Sequence, residues 1–396
     1  MNKLPRVLLL FPASLLLLIA YLLIPAESAA EKRWWPTKVN VFNPACTDGD
    51  IACWTDPRNE ASKLELVDYI PLMPDEVRTK HHICVSFPHL KDSYWKGVAY
   101  GIISEGRRLG QKITLVEAGG YTNLEWQLNQ VEDCIANGAE ALIIGPISSN
   151  GNARQIDMIR ARGIPVIVII TGINTQVDAN SLQSFYNMGN ASCQWIVDQH
   201  PNKHEKVRLV WFPGPPGAGW STAADNGCRD AVNNTHIEIV ATRWGDTGKE
   251  IQLDLVEEVL QTMTSGQQVE LDYIVGTATT IEGAVGAIRF RELEEEIKLV
   301  AFYYTPGMQI FLKRGAVAMA PTDQMITQAQ IAIDQALRLL EHKAMATGGR
   351  PEFNDTGRLV EHVQPPVIFV TPDTVKDFNT STTLAPKNWT PKFSVD

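Results

Sequence analysis

Basic charge is scarce in this 396-residue chain: 35 Lys and Arg stand against 45 Asp and Glu, a formal net charge of −10, with no long basic run. A nucleic-acid footprint needs a basic face that releases counterions, so no nucleic-acid partner is expected. No CxxC pair is present, which leaves a thiol-redox reading without its motif. GxSxG is also missing, and no nucleophile–base arrangement is legible, so an enzyme is not expected. The glycine-rich turn Pro213–Gly219 lacks the lysine of a phosphate-cradling GxxxxGK[ST] loop. His81 and His82 have no third ligand at useful spacing, so neither a metal site nor a cofactor is expected. Beyond residue 24 no apolar run is long enough to cross a bilayer.

The one long apolar run is at the start. Lys3 and Arg6 precede Val7–Ile24, and small residues follow around Ala26, Ser28 and Ala30. A basic n-region, an apolar h-region and a small-residue exit describe a secretory signal peptide over residues 1–30, with an uncleaved anchor as the alternative. Export leaves six cysteines in an oxidising compartment, where disulfides are expected and a buried free thiol is the alternative for each. Cys46 and Cys53 lie close enough to staple the N-terminal extension. Cys84 opens a strand and Cys134 comes late in a helix of the same lobe, while Cys193 and Cys228 remain for the other lobe.

From Ile83 the chain alternates short apolar strands with helices. Strands are expected at His82–Phe87, Lys112–Val116, Ala141–Ile144 and Ile164–Ile170, and helices at Tyr94–Leu109, Asn123–Asn137 and Ala153–Ala161. The alternation restarts with helices Met188–Gln199, Gly219–Val232, Glu250–Thr264 and Thr280–Phe290. Between them come strands Val207–Phe212, Ile237–Ala241, Tyr273–Val275 and Lys298–Tyr303. Such alternation builds parallel sheets through right-handed crossovers, and apolar runs without alternation suit strands covered on both faces. The fold class is therefore α/β, with two Rossmann-like doubly wound lobes in series. A leftover helix, Asp323–His342, and a late strand, Val367–Val370, bring the chain back between the lobes through a multi-crossing hinge. The expected organisation is an arm over 31–80, a first lobe from 81–182 and 322–362, a second from 183–321 and 363–376, and a tail over 377–396. The arm should lie ordered over a lobe, since Trp34, Trp35 and Trp54 are too apolar for a free tail, and the polar, Thr- and Pro-rich end should be loose.

Ligands in such folds sit outside the carboxyl ends of the strands. Tyr94 and Trp95 follow the first strand, Tyr121 the second, Phe185 and Tyr186 the first crossover, and Tyr303 ends the last strand of the second lobe. Asp92 and Asp323 either orient pocket groups across the hinge or cap the helices beginning at Ser93 and Gln324.

The ordered set Leu90-Lys-Asp-Ser-Tyr-Trp95, Glu117-Ala-Gly-Gly-Tyr121, Gly276-Thr-Ala278 and Asp323-Gln-Met325 resembles the TorT family. These are periplasmic proteins that bind trimethylamine N-oxide (TMAO) and belong to the system sensing TMAO respiration. The similarity runs from about Ile83 to Pro372 and implies the type I periplasmic binding protein fold. It also implies a periplasmic location, a non-enzymatic role as a TMAO receptor, and docking on the periplasmic domain of a TorS-type sensor histidine kinase. TorT-like sequences place cysteines where Cys84 and Cys134 stand, which favours that pair. Aromatic faces hold a methylated ammonium head, which cannot donate hydrogen bonds, by cation–π attraction; tyrosine hydroxyls or an indole N–H serve the oxide. One departure from the family is Phe185, where TorT-like sequences carry tryptophan. Trp220, just after Pro213–Gly219 at a helix start, is the candidate replacement, and a betaine or another N-oxide is an alternative ligand. Within the binding class the rival reading is the sugar-binding component of an ABC importer.

Overall fold

The computed structural model describes residues 33–42, 64–265, 268–347, 352–353 and 359–396. The expected signal peptide, Cys46, Cys53 and Trp54 lie outside them. In the first lobe, strands β3 (His82–Phe87), β4 (Lys112–Glu117), β5 (Ala141–Ile144), β6 (Val166–Ile170) and β7 (Ala179–Leu182) are parallel and ordered β4-β3-β5-β6-β7. The connections run through α1 (Ser93–Arg108), α2 (Leu124–Ala136) and α3 (Ala153–Ala161). This is a doubly wound order whose winding reverses between β3 and β5.

Both sheet faces are covered, which explains the unalternating strands. Val85, Phe87, Ile143, Ile167 and Ile169 pack on the side of α1. Cys84, Leu142, Ile144, Val166 and Val168 pack on the side of α2 and α3, where they meet Val131, Cys134, Ile135 and Ile156. Cys84 and Cys134 form a disulfide across this second face, with Cα atoms 6.1 Å apart.

The second lobe repeats the scheme. Strands β8 (Val207–Gly214), β9 (Ile237–Trp244), β12 (Tyr273–Gly276) and β13 (Lys298–Ala301) form a parallel sheet ordered β13-β12-β8-β9. A short β10–β11 ladder (Thr264–Ser265 with Gln268–Val269) precedes β12. The helices are α4 (Phe185–Gln199), α5 (Gly219–Val232), α6 (Lys249–Met263), α7 (Ala278–Phe290) and α8 (Pro306–Lys313). Apolar periodicity placed the start of α4 at Met188; it begins at Phe185 because the Ser184 side chain accepts from the Asn187 backbone N–H at 3.1 Å. Helices α4 and α5 pack closely. A Cβ on Gly189 would strike the Ala224 backbone and one on Gly227 the Tyr186 backbone, and Cys193–Cys228 bridges the pair at a Cα separation of 5.1 Å.

The chain passes between lobes four times, the last of them in the tail, which returns to the first lobe. It leaves β7 for α4 and returns from β14 (Ala320–Thr322) to α9 (Met325–Leu340). It then crosses once more from β16 (Leu359–Gln364), which pairs with β7, to β17 (Ile368–Val370), which pairs with β14. Side chains tie the crossings together: Gln324 Nε2 donates to the Pro366 carbonyl at 2.8 Å, and Gln364 donates to Gln183.

Two segments differ from expectation. The arm does not merely lie over the lobe: β1 (Thr37–Phe42) and β2 (Leu64–Tyr69) extend the first sheet beyond β16, with β15 (Glu352–Phe353) on the side. Its flanks are clamped to α1 and α9. Trp34 Nε1 donates to Glu105 at 3.0 Å, Arg108 lies 4.5 Å over the Trp35 ring, and Tyr69 Oη donates to Asp334 at 2.7 Å. The tail is tied down as well. Trp389 packs edge-on against Tyr100 with ring centroids 5.5 Å apart, and β18 (Ser394–Val395) pairs with β4 at the opposite sheet edge. No helix among the described residues is long and apolar enough to cross a membrane.

Candidate functional site

Most of the parallel strands deliver a side chain to the cleft from just past their carboxyl ends. After β3 the chain turns at Asp92, whose Oδ1 accepts from the Tyr94 N–H at 2.9 Å and so caps α1. That cap fixes Tyr94 and Trp95 in the first helical turn. The Trp95 indole lies over Gly145, just past β5, where any Cβ would collide with it. The ring therefore occupies the point where the winding reverses. Tyr121 follows β4 and Thr171 follows β6. From the second lobe come Phe185 at the start of α4, Trp220 at the start of α5, Thr247 after β9 and Tyr303 after β13. Gly214, at φ +109, makes room for Trp220, whose ring would lie 2.5 Å from a Cβ there.

Asp92, Tyr94, Trp95, Tyr121, Thr171, Phe185, Trp220, Thr247 and Tyr303 enclose one cavity. All are buried except Tyr121, which is half-buried, so the lobes are closed over it. The centre of a water-sized sphere can move through about 20 Å³ inside. That is a narrow space, and it suits a compact ligand.

The rings meet edge to face and tilted. Tyr94 lies 5.4 Å from Tyr303, Trp220 lies 5.5 Å from Phe185 and 5.9 Å from Tyr121, and Phe87 supports Trp95 at 4.9 Å. Behind the rings stand two carboxylates. Tyr303 Oη donates to Asp92 Oδ2 at 2.7 Å across the lobes, and Tyr94 Oη donates to Asp323, which also accepts from Gln328 Nε2 at 2.9 Å. Burial pushes both carboxyls up to about 6, against their hydrogen bonds. Burial and the adjoining carboxylates push the Tyr94 and Tyr303 hydroxyls well above the usual tyrosine range.

Tyr121 differs, because its oxygen accepts from Trp95 Nε1 at 3.3 Å and its own proton is left to donate. The Trp220 indole N–H also acts on the Tyr121 hydroxyl, opposing the upward push of burial, yet it meets no acceptor in hydrogen-bonding geometry. At the cleft rim His89 Nε2 meets Thr247 Oγ1 at 3.1 Å between the lobes. Burial lowers the His89 pKa to about 4, with Asp246 raising it and Lys91 lowering it further.

Of the expected residues, the cavity thus gathers Asp92, Tyr94, Trp95, Tyr121, Phe185, Trp220 and Tyr303. Tyr186 is not among them. Tyr186, about 100° further round the helix than Phe185, is held on the flank of α4, where its hydroxyl donates to Asp230 of α5 at 2.7 Å. Asp323 stands one layer back and does not cap α9, whose first turn has no side-chain cap. Thr171 and Thr247 were missed; the strand-end rule alone pointed to them, and threonine is too common at such ends to stand out. Among the described residues no group of three or more metal-ligating side chains assembles.

The periplasmic binding protein domain model matches residues 83–344, which spans both lobes and the cavity wall. This chain belongs to the periplasmic binding protein family. It is 30% identical over 321 residues to the periplasmic protein TorT of Escherichia coli K12, covering 81% of this chain and 86% of that one. Among solved structures, an ABC transporter solute-binding protein from Bradyrhizobium with bound bis-tris is 39% identical. It covers 91% of this binding protein and 99% of its own chain, at a TM-score of 0.72. TorT in complex with the TorS sensor domain in the presence of TMAO is 29% identical and covers 79% of this chain and 100% of that one, at a TM-score of 0.68. The fold is thus the type I periplasmic binding protein fold expected from the motifs, and the TorT resemblance extends across both lobes.

Proposed function

We propose that this protein is a periplasmic co-receptor that closes on trimethylamine N-oxide, or a methylated amine of similar size, and signals through the periplasmic domain of a TorS-type sensor histidine kinase to regulate TMAO respiration. The observation that carries the ligand class is a narrow cavity walled by six aromatic rings and one carboxylate, with neither Lys nor Arg in its lining. Cation–π contacts with desolvated rings contribute about 2 kcal/mol or more each, and the Tyr121 hydroxyl and Trp220 N–H are the donors for an oxide. The TorS–TorT complex supports the signalling partner. Phe185 keeps a π face where the TorT family has tryptophan, and Trp220, 5.5 Å away, supplies the indole.

Cavity fluorescence tests the ligand directly. TMAO is expected to change the emission of Trp95 and Trp220 saturably. Trp220→Ala is expected to weaken binding at least tenfold; unchanged affinity overturns the role given to Trp220.

A second reading is delivery to an importer. The Bradyrhizobium relative is described as an ABC transporter solute-binding protein and holds bis-tris, itself a tertiary amine. The two readings share the ligand chemistry and differ in the partner. Co-elution with the periplasmic domain of a TorS-type kinase from the same genome is expected for signalling, whereas no complex with or without TMAO favours import.

A further inference from the structure

The donors and acceptors of the cavity are sorted to opposite sides, and the two buried carboxylates do the sorting. A hydroxyl has one proton to give. Tyr94 gives its proton to Asp323 and Tyr303 gives its own to Asp92. Their oxygens therefore turn only lone pairs toward the cavity, beside the Asp92 carboxylate that lines it. On the other side, Tyr121 accepts from Trp95 and keeps its proton, and the Trp220 N–H has no acceptor.

Neither carboxylate has a cation within an ion-pair distance among the described residues. The charges acting on Asp92 are Glu282 and Lys249, which oppose one another. Lys249 is itself paired with Glu282 at 3.1 Å, on the solvent side. Asp323 Oδ1 is buried with no hydrogen-bond partner. Two buried carboxylates without a counter-charge are unfavourable unless something positive enters beside them.

We propose that Asp92 and Asp323 set the charge specificity of the cleft: they make the Tyr94–Tyr303 wall acceptor-only, so the ligand's permanently charged, methylated nitrogen seats there and its oxygen faces Tyr121 and Trp220. Asp92 touches the cavity directly, and Asp323 acts as a positioning residue through Tyr94. This rests on the methylated-amine reading and adds that charge, beyond shape and apolar fit, selects the ligand.

The test uses two ligands of nearly equal shape, TMAO and tert-butanol, which replaces the N⁺–O⁻ unit with C–OH. Binding is measured at about pH 8, where carboxyls titrating near 6 are ionised, on the exported protein and on Asp92→Asn and Asp323→Asn. Asparagine is as good an N-cap as aspartate, so α1 keeps its start, and melting curves check both variants. The unaltered protein is expected to prefer TMAO over tert-butanol at least a hundredfold, and each variant to lose at least tenfold of that preference. Lost TMAO binding with retained tert-butanol binding is the same result at its limit. A preference unchanged within twofold in both variants, or loss of both ligands in variants of unaltered melting, overturns the proposal while leaving the amine reading in place. If the unaltered protein binds neither TMAO nor tetramethylammonium, the functional reading itself fails, and this proposal with it.

Discussion

Asp92 does three things at once: it caps α1, accepts the Tyr303 hydroxyl from the other lobe and lines the cavity. Its position after β3 made it a candidate from sequence, but as a cap or a pocket group; that it is both follows from having two oxygens aimed in different directions. The burial that raises it to about 6 gives a stability prediction of definite sign. A carboxyl raised above its unfolded value of 3.8 is unfavourable above pH 6, and that penalty fades as pH falls through 6 toward 3.8. Asp92→Asn lacks the penalty, so its stability relative to the unaltered protein should shift in its favour by up to about 3 kcal/mol between pH 4 and pH 7.5. Parallel denaturant curves at both ends read this, and no shift contradicts a desolvated carboxylate. His89 acts with the opposite sign. Lowered to about 4, it is neutral when folded, so its contribution is present above 6.5 and lost as pH falls toward 4. His89→Gln should therefore flatten part of the acid loss of stability, with Lys91 and Asp246 unchanged. The aromatics of the cavity were legible because bulky rings at strand ends are conspicuous. Tyr186 misled because its hydroxyl turns outward to Asp230 on the neighbouring helix, whereas the equally adjacent Tyr94 and Trp95 both reach the cavity, and nothing in the sequence separates the two cases.

The elements read from sequence were those with strong local signals, the β-branched strands and the capped helices of the two α/β runs. The arm and the tail escaped because their partners are distant: β1 pairs with β16 more than three hundred residues away, and β18 closes on β4. Long-range pairing leaves almost no local trace. The tail covers a sheet edge that would otherwise present unpaired backbone groups. Ending the chain at Asp373 should lower the melting temperature and promote self-association, whereas a truncated protein as stable and monomeric as the full chain contradicts a structural role for residues 374–396. The α4–α5 pair makes a sharper test of packing. Gly227 sits against the Tyr186 backbone with no room for a methyl, so Gly227→Ala should separate the helices at a loss of about 1–3 kcal/mol. A chemical-denaturation midpoint unmoved by that change removes the close approach.

At the scale of the whole molecule, three of the four crossings are tied together by Gln183, Gln324, Gln364 and Pro366, which lets the lobes move as units, and the inter-lobe bonds Asp92–Tyr303 and His89–Thr247 belong to the closed form. The two-lobed plan was legible because the strand–helix alternation stops and restarts. The size of the cavity was not, because it depends on how far the lobes close. A ligand shifts the equilibrium only by binding the closed form better, so X-ray scattering should show a smaller radius of gyration with saturating TMAO than without, and superimposable profiles contradict closure. The central claim is narrower: the enclosed space takes a small methylated amine and refuses a sugar. Isothermal calorimetry of the exported protein against TMAO and ribose tests it most directly. The account predicts saturable one-to-one binding of TMAO and no heat of binding for ribose; saturable binding of ribose with none for TMAO contradicts it.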